Sequence, residues 1–374
     1  MPLRPHTRKL SLAAAAGSLA LAAVTLTTSP GLADGPAPGT VLTAGLNNPR
    51  LLSFGPDGSL YVAEAGTGAN DPNVKCVTGG DGPSCFSLTG SVTRVRDGVA
   101  SRVLTGLPSM AGTDGSNPVG PVQLLPENGG HYVLSMGAGV ALDQRQLLPA
   151  SAQTLGTVVR GKFGHRAAAT GDLVAWEYQH NPDNSAALDS DPAGITRNHG
   201  HYVVADAGGN TLMQVDGHHV RELAVFPTNP AFQGPEGPIQ AVPTAVAVGP
   251  DGAYYVSQLT GAPFPAGSAN IWRVVPGEAP TVYASGLTNV TDLAWSGDQL
   301  YAVELSNGGL ATTGATGSLI QVHPGANDPS MQAVTRAGSL PAPYGVAIRD
   351  GVAYVSIGTL FGPGQGAVME FPLD

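Results

Sequence analysis

The sequence predicts an all-β chain, a six-bladed β-propeller, on three features. A short phrase returns six times, an apolar run stands just ahead of each copy, and a further strand-like segment follows each. The phrase reads GPDGSLYVAEAG at 55–66, NGGHYVLSMGAG at 128–139, NHGHYVVADAGG at 198–209 and GPDGAYYVSQLTG at 249–261. Looser copies, SGDQLYAVELSNG at 296–308 and RDGVAYVSIGTLFG at 349–362, complete the set. A unit of three or four short strands cannot bury both faces alone, so repetition implies neighbours that cover them. Six such sheets set radially cover one another and leave only short edges.

Taken in order, residues 1–33 carry Arg4, Arg8 and Lys9, then an apolar stretch from Leu10 to Leu26, and no acidic residue. This reads as a secretory signal peptide cut after Ala33, so the mature chain is expected to be secreted. Its apolar core is short for a membrane span, and no later segment reads as one. Residues 34–374 are expected to form one propeller domain, read as a monomer. TVLTAGL at 40–46 stands alone, and it matches the outermost segments RVLTGLP (102–108), RELAVFP (221–227) and TVYASGL (281–287). The last copy stops at AVMEFPLD, so the N-terminal strand is expected to pair there and close the ring. An unpaired extension would leave two exposed edges. In between, the apolar runs LLSF, VQLL, GITR, AVAV, DLAW and GVAI supply innermost strands. Segments such as SVTRVRDG, TLMQVDGH and NIWRVVPG supply the strand after each phrase. Asp-Gly pairs at 57–58, 97–98, 216–217, 251–252 and 350–351 provide the positive φ of tight hairpins.

Composition narrows the partners. Charged residues are 12% of the chain, and Gly and Pro together number 84 of 374, which suits a β protein dense in turns. Past the signal segment, 27 acidic residues face 14 Lys and Arg, a net charge of −13. Nucleic acid and anionic membranes are poor partners for such a surface, while cations and neutral or cationic ligands remain open. The two cysteines, Cys76 and Cys85, lie nine positions apart in a Gly-rich loop of the first copy. In an exported chain that pair reads as a disulfide pinning a loop outside the blades.

Several phrases also carry a family resemblance. GLNNPRLLSFGPDGSLYVAEAG, the Cys-bearing loop ending in GSVTRV, VVADAGGNTLMQVD and PTAVAVGPDGAYYVSQLTGAPFPAGSANIWRVVPG together resemble the ScyD/ScyE family of exported bacterial propellers. The family is named for members encoded beside genes for scytonemin, an extracellular indole-derived pigment. VVADAGGNTLMQV is also similar to the D-x-x-N signature of NHL-type propellers, with one extra Gly. The resemblance implies fold and export, and no defined reaction.

Chemistry is therefore read from position. Aligning the six phrases on their common strand gives one column before the following loop: Glu64, Met136, Asp206, Gln258, Glu304 and Ile357. Propeller ligands usually sit where loops converge at the channel mouth, so Glu64, Asp206, Gln258 and Glu304 are the candidate ligand-binding residues. Glu64, Asp206 and Glu304 alternate around the ring, and they would hold Ca2+ or another divalent cation if they converged, with the Gln258 amide as a fourth oxygen. Alternatively they accept backbone N–H groups from adjoining loops, with Arg50 and Thr244 as further partners. His199 and His201 flank Gly200 on one side of a strand entry, where a surface metal site is one reading, with His218 and His219 in the next turn, His180 in the loop before and no Cys near them. Phe232, Phe264 and Phe361 fall in Pro-rich loops, where they either cap blades or offer a platform to an aromatic ligand.

Two functions stand. One is an exported non-enzymatic propeller that binds a small molecule or a protein partner, an accessory in handling an aromatic metabolite. The other is a channel-metal hydrolase resembling gluconolactonase-type lactonases, which hold a divalent cation with carboxylates and an Asn. Asn48, Asn210 and Asn289 lie only in neighbouring loops, and no G-x-S-x-G nucleophile motif occurs. A quinone-dependent sugar dehydrogenase needs a cationic pocket, which Lys9, Lys75 and Lys162 alone supply poorly.

Overall fold

The computed structural model describes residues 39–68, 75–79, 82–235, 237–314, 316–323 and 333–373. They belong to a compact unit spanning Pro36–Asp374. The expected signal segment, residues 1–33, lies outside the described residues.

Alternation of side chains along each strand builds the architecture. Six antiparallel sheets run from an innermost to an outermost strand. The innermost strands are Pro49–Phe54, Pro121–Pro126, Pro192–Asn198, Pro243–Val248, Val290–Ser296 and Val346–Arg349. Each packs against the next around a closed circle, the sixth against the first. The chain is a six-bladed β-propeller. The recurring phrase supplies the second strand of every blade, as in Leu60–Glu64 and His201–Asp206.

The ring closes as the sequence predicts. Thr40–Leu46 pairs antiparallel with Gly366–Pro372, so the first strand of the chain is the outermost strand of the sixth blade. Leu46, from the N-terminal strand, is 2% exposed in a core shared with Leu52, Leu60 and Val62 of blade one.

Period-two alternation feeds two cores from one strand. Val203 points into the core between blades three and four, and its neighbour Val204 into that between blades two and three. Tyr254 and Tyr255 divide in the same way between the two sides of blade four. Six inter-blade cores result, and a seventh cluster of Leu51, Val122, Ala193 and Ala245 plugs the axis. Two glycines permit that close approach. A Cβ on Gly194 would stand 2.6 Å from Ala245 Cα, and one on Gly345 2.6 Å from the Arg50 carbonyl oxygen.

The disulfide joins Cys76 to Cys85, as the sequence predicts. Its setting differs from expectation. The cysteines face one another in a hairpin of Cys76–Gly79 with Gly82–Arg96, which is the third strand of blade one prolonged. Val77 and Phe86 of that hairpin are buried in the core shared with blade two. Their apolar side chains give this Gly-rich stretch a reason to pack.

Between blades two and three the chain makes an 8-residue helix, Leu173–His180. The Asp172 carboxylate caps it by accepting from the Ala175 amide at 2.9 Å, and Asn181 ends it in a left-handed conformation. No helix among the described residues is long and apolar enough to cross a membrane.

Candidate functional site at the axis mouth

The predicted column lies one strand outside the channel. Glu64 is paired with Pro49, Asp206 with Pro192, Gln258 with Pro243 and Glu304 with Val290, so each stands beside the start of its innermost strand. The three carboxylates reach back to the backbone that leads into that strand. Glu64 accepts from the Asn47 amide at 2.7 Å and the Thr93 hydroxyl at 2.6 Å, and Arg102 pairs with it at 2.9 Å. Asp206 accepts from the Ser190 hydroxyl at 2.6 Å and from the Asp191 and Gly209 amides at 2.8 and 3.3 Å. Glu304 accepts from the Thr288 amide at 2.8 Å. Gln258 turns the other way: its Oε1 accepts from the Asn270 amide and the Trp272 indole, at 3.1 and 3.0 Å.

The expected metal trio of Glu64, Asp206 and Glu304 is not brought together. Among the described residues, no three His, Cys, Asp or Glu side chains group so as to hold a metal ion. Glu64 has its charge offset by Arg102, and Asp206 has three donors. The side-chain nitrogens of Asn48, Asn210 and Asn289 donate to Gly66 O, Asp183 and Leu259 O respectively, and Asn210 Oδ1 accepts from the Val242 amide at 2.9 Å. The carboxylates act as latches on the turns between blades.

What converges at the axis is a different set: Arg50, Asp191, Tyr344 and Thr359. Arg50 and Tyr344 open adjoining innermost strands of blades one and six, and the guanidinium lies 4.6 Å from the centre of the Tyr344 ring. Arg50 also donates to the Thr359 hydroxyl at 3.2 Å and to the Pro118 carbonyl. Asp191 immediately precedes Pro192 and accepts from the Ala138 amide at 2.8 Å. Arg50, Asp191 and Tyr344 all remain partly exposed. Thr359 is followed by Leu360 and Phe361, which are 49% and 42% exposed.

Electrostatics at this mouth are unusual. Desolvation pushes the Asp191 carboxyl up to about 7; the nearby Asp206 carboxylate adds to that, while the Ala138 amide and Arg50 oppose it. Tyr344 is raised by burial, against the pull of Arg50. Behind it, burial pushes Asp292 up to about 8, although the Val346 and Leu293 amides donate to it. Several perturbed groups gathered in one place mark a candidate for function.

The hydroxyls nearby are committed to joining blades. Thr244 donates to Val290 O at 2.8 Å, Thr291 to Tyr344 O at 2.6 Å, and Ser356 to Arg50 O at 2.8 Å. None is paired with a base that would make it a nucleophile.

On the opposite face, a cleft of about 260 Å3 is floored by Phe54 and Leu125 and edged by Glu127, Arg197 and Tyr202. Its polar groups answer one another. Glu127 accepts from the Tyr202 hydroxyl at 2.5 Å and pairs with Arg160 and Arg197 at 3.4 Å each.

Sequence reasoning named Arg50 as a partner of the column but did not find Asp191 or Tyr344. The signal was the residue beside each innermost strand, one strand inward from the aligned column.

No family model and no curated protein sequence matches the chain. Solved structures do. A putative oxidoreductase (glucose dehydrogenase) from Thermus thermophilus has a TM-score of 0.53 at 16% identity, covering 89% of this chain and 99% of that one. A protein of unknown function from Bacteroides thetaiotaomicron has a TM-score of 0.51 at 10% identity, covering 90% of this chain and 72% of that one. The shared property is the fold.

Proposed function

We propose that the chain is an exported binding propeller that seats a small neutral aromatic molecule at the axis mouth and catalyses no reaction of its own. One observation carries this reading. The partly exposed polar and aromatic groups at the axis are Arg50, Asp191 and Tyr344, and the hydroxyls beside them are engaged in holding blades together. Arg50 stacked on Tyr344 presents a flat, polarisable surface on which another ring gains contact. Asp191 offers an acceptor for an indole N–H or a phenol. Near neutral pH the Asp191 carboxyl is partly ionised beside the Arg50 guanidinium, so the mouth carries little net charge and favours a neutral ligand. Exposed Leu360 and Phe361 extend the apolar rim. The resemblance to the ScyD/ScyE family, named beside an indole-derived pigment, supports the same chemical class.

Titration calorimetry of the mature chain with indole tests this. Saturable binding is expected, weakened at least about tenfold, or 1.4 kcal/mol, by D191N. F361S should weaken it less, through lost apolar contact. Absence of saturable binding, or equal affinity in both variants and the parent, overturns the reading.

A further inference from the structure

The helix Leu173–His180 buries Leu173, Val174 and Glu177 on one face. Spacing of four residues from Leu173 is where an apolar side chain belongs. A carboxylate stands there instead, 1% exposed, and neither of its oxygens has a hydrogen-bond partner. An unpaired charge in such a position costs several kcal/mol. Its charged neighbours make matters worse. Burial, then Asp206, Asp183, Asp189 and Glu222, push Glu177 up to about 8, and every one of those neighbours is an acid. The carboxylate there has to be neutralised, either by its own proton or by a bound cation.

Two neutral oxygens also lack partners. Thr211, 0% exposed, has an unpartnered Oγ1, and Asn181, one helical turn beyond Glu177, has an unpartnered Oδ1. The Asn181 amide nitrogen is already committed to Ser185 O at 3.0 Å, which leaves its oxygen as the free end. The chain at Gly209 passes close by: a Cβ there would fall 2.7 Å from Glu177 Oε2 and 3.5 Å from Thr211 Oγ1. Both oxygens therefore face the bare backbone of Gly209, where the approach is too close for any side chain.

We infer that a metal cation binds here, held by the Glu177 carboxylate, the Thr211 hydroxyl and the Asn181 side-chain carbonyl. All the donors are oxygen, which selects a hard ion such as Ca2+ over soft metals. Only one donor is a carboxylate, which is why the site is not a cluster of three acids. Asp183, Asp189 and Asp206 contribute through their field. Asp206 in particular has its oxygens occupied by Ser190, Asp191 and Gly209. The ion would tie the helix to the turn that opens the third strand of blade three. This site is separate from the axis mouth and does not depend on ring binding there.

The test uses the full mature chain stripped with a chelator, then titrated with Ca2+ while melting temperature and bound metal are measured. A saturable rise in Tm with about one Ca2+ bound per chain is expected, by mass action on the folded state. E177Q keeps the shape and should lose both the rise and the bound ion, while being at least as stable as the chelated parent. T211V should weaken Ca2+ binding and leave the chelated Tm nearly unchanged. A parent that binds no Ca2+ and shows no Tm shift overturns the inference and leaves a proton as what neutralises Glu177. A Ca2+ response that persists in E177Q and T211V overturns it too, by placing the ion elsewhere.

Discussion

Asp292 sits behind the axis mouth, 4% exposed, and accepts from the Leu293 amide at 2.8 Å and the Val346 amide at 2.7 Å. The folded chain keeps its proton up to about pH 8, whereas the unfolded chain releases it near 3.8. Between those values folding takes up a proton, so this residue lowers stability as pH rises and stops doing so above about 8. Below 3.8 both states are protonated and the contribution is flat. D292N cannot titrate, and its amide turns a donor towards a backbone N–H, which costs about 1–3 kcal/mol. Its stability should therefore lie below the parent's near pH 5 and approach it by about pH 8. Chemical denaturation at several pH values checks this, and parallel curves would mean that Asp292 carries no proton. The aspartate is visible in the sequence as part of DLAW. Its burial is not, because only the fit of blade six against blade five excludes water from it.

The Cys76–Cys85 hairpin shows how an element gains meaning from its neighbour. Spacing and compartment predict the bond, but not that Val77 and Phe86 pack with Leu124 and Tyr132 of blade two. C76S/C85S should cost about 2–3 kcal/mol, the loop-closure value for so short a ring. Faster hydrogen exchange should spread from the hairpin into the first two strands of blade two. Exchange confined to residues 75–88 would show that the packing is incidental. The end-of-strand carboxylates teach a related lesson. Alignment finds Glu64, Asp206 and Glu304 as a column, because a repeat places equivalent residues equivalently. Which way they face depends on whether their strand is first or second from the axis, and they reach for the turns at Asn47, Asp191 and Thr288.

Across the whole molecule, closure holds the ring. Each blade shares a core with the next, and the core between blades six and one includes Leu46 from the N-terminal strand. Removing residues 34–46 would strip that strand from Gly366–Pro372 and expose an edge. We expect a loss of at least about 3 kcal/mol, given that truncating one buried Leu alone costs about 2–5 kcal/mol. The shortened chain should also self-associate through its bared edge. A urea midpoint equal to the parent's, with no added light scattering, would show that closure by this strand is dispensable.

The sequence by itself determined the repeat, the number of blades, the closing strand and the disulfide. Each of these follows from local pattern: period-two apolar alternation, Gly-rich turns, matching outer segments and a close cysteine pair. Tertiary structure alone decided what the polar residues do. Arg50, Asp191 and Tyr344 come from blades one, three and six, and only the radial arrangement brings them to one axis. Glu177 and Thr211 are 34 positions apart, yet the oxygens of both pack against the bare glycine at 209. Strand pattern is set by which face a residue turns, and that is written every second position. A site is set by which blades meet, and that depends on the closure of the entire ring.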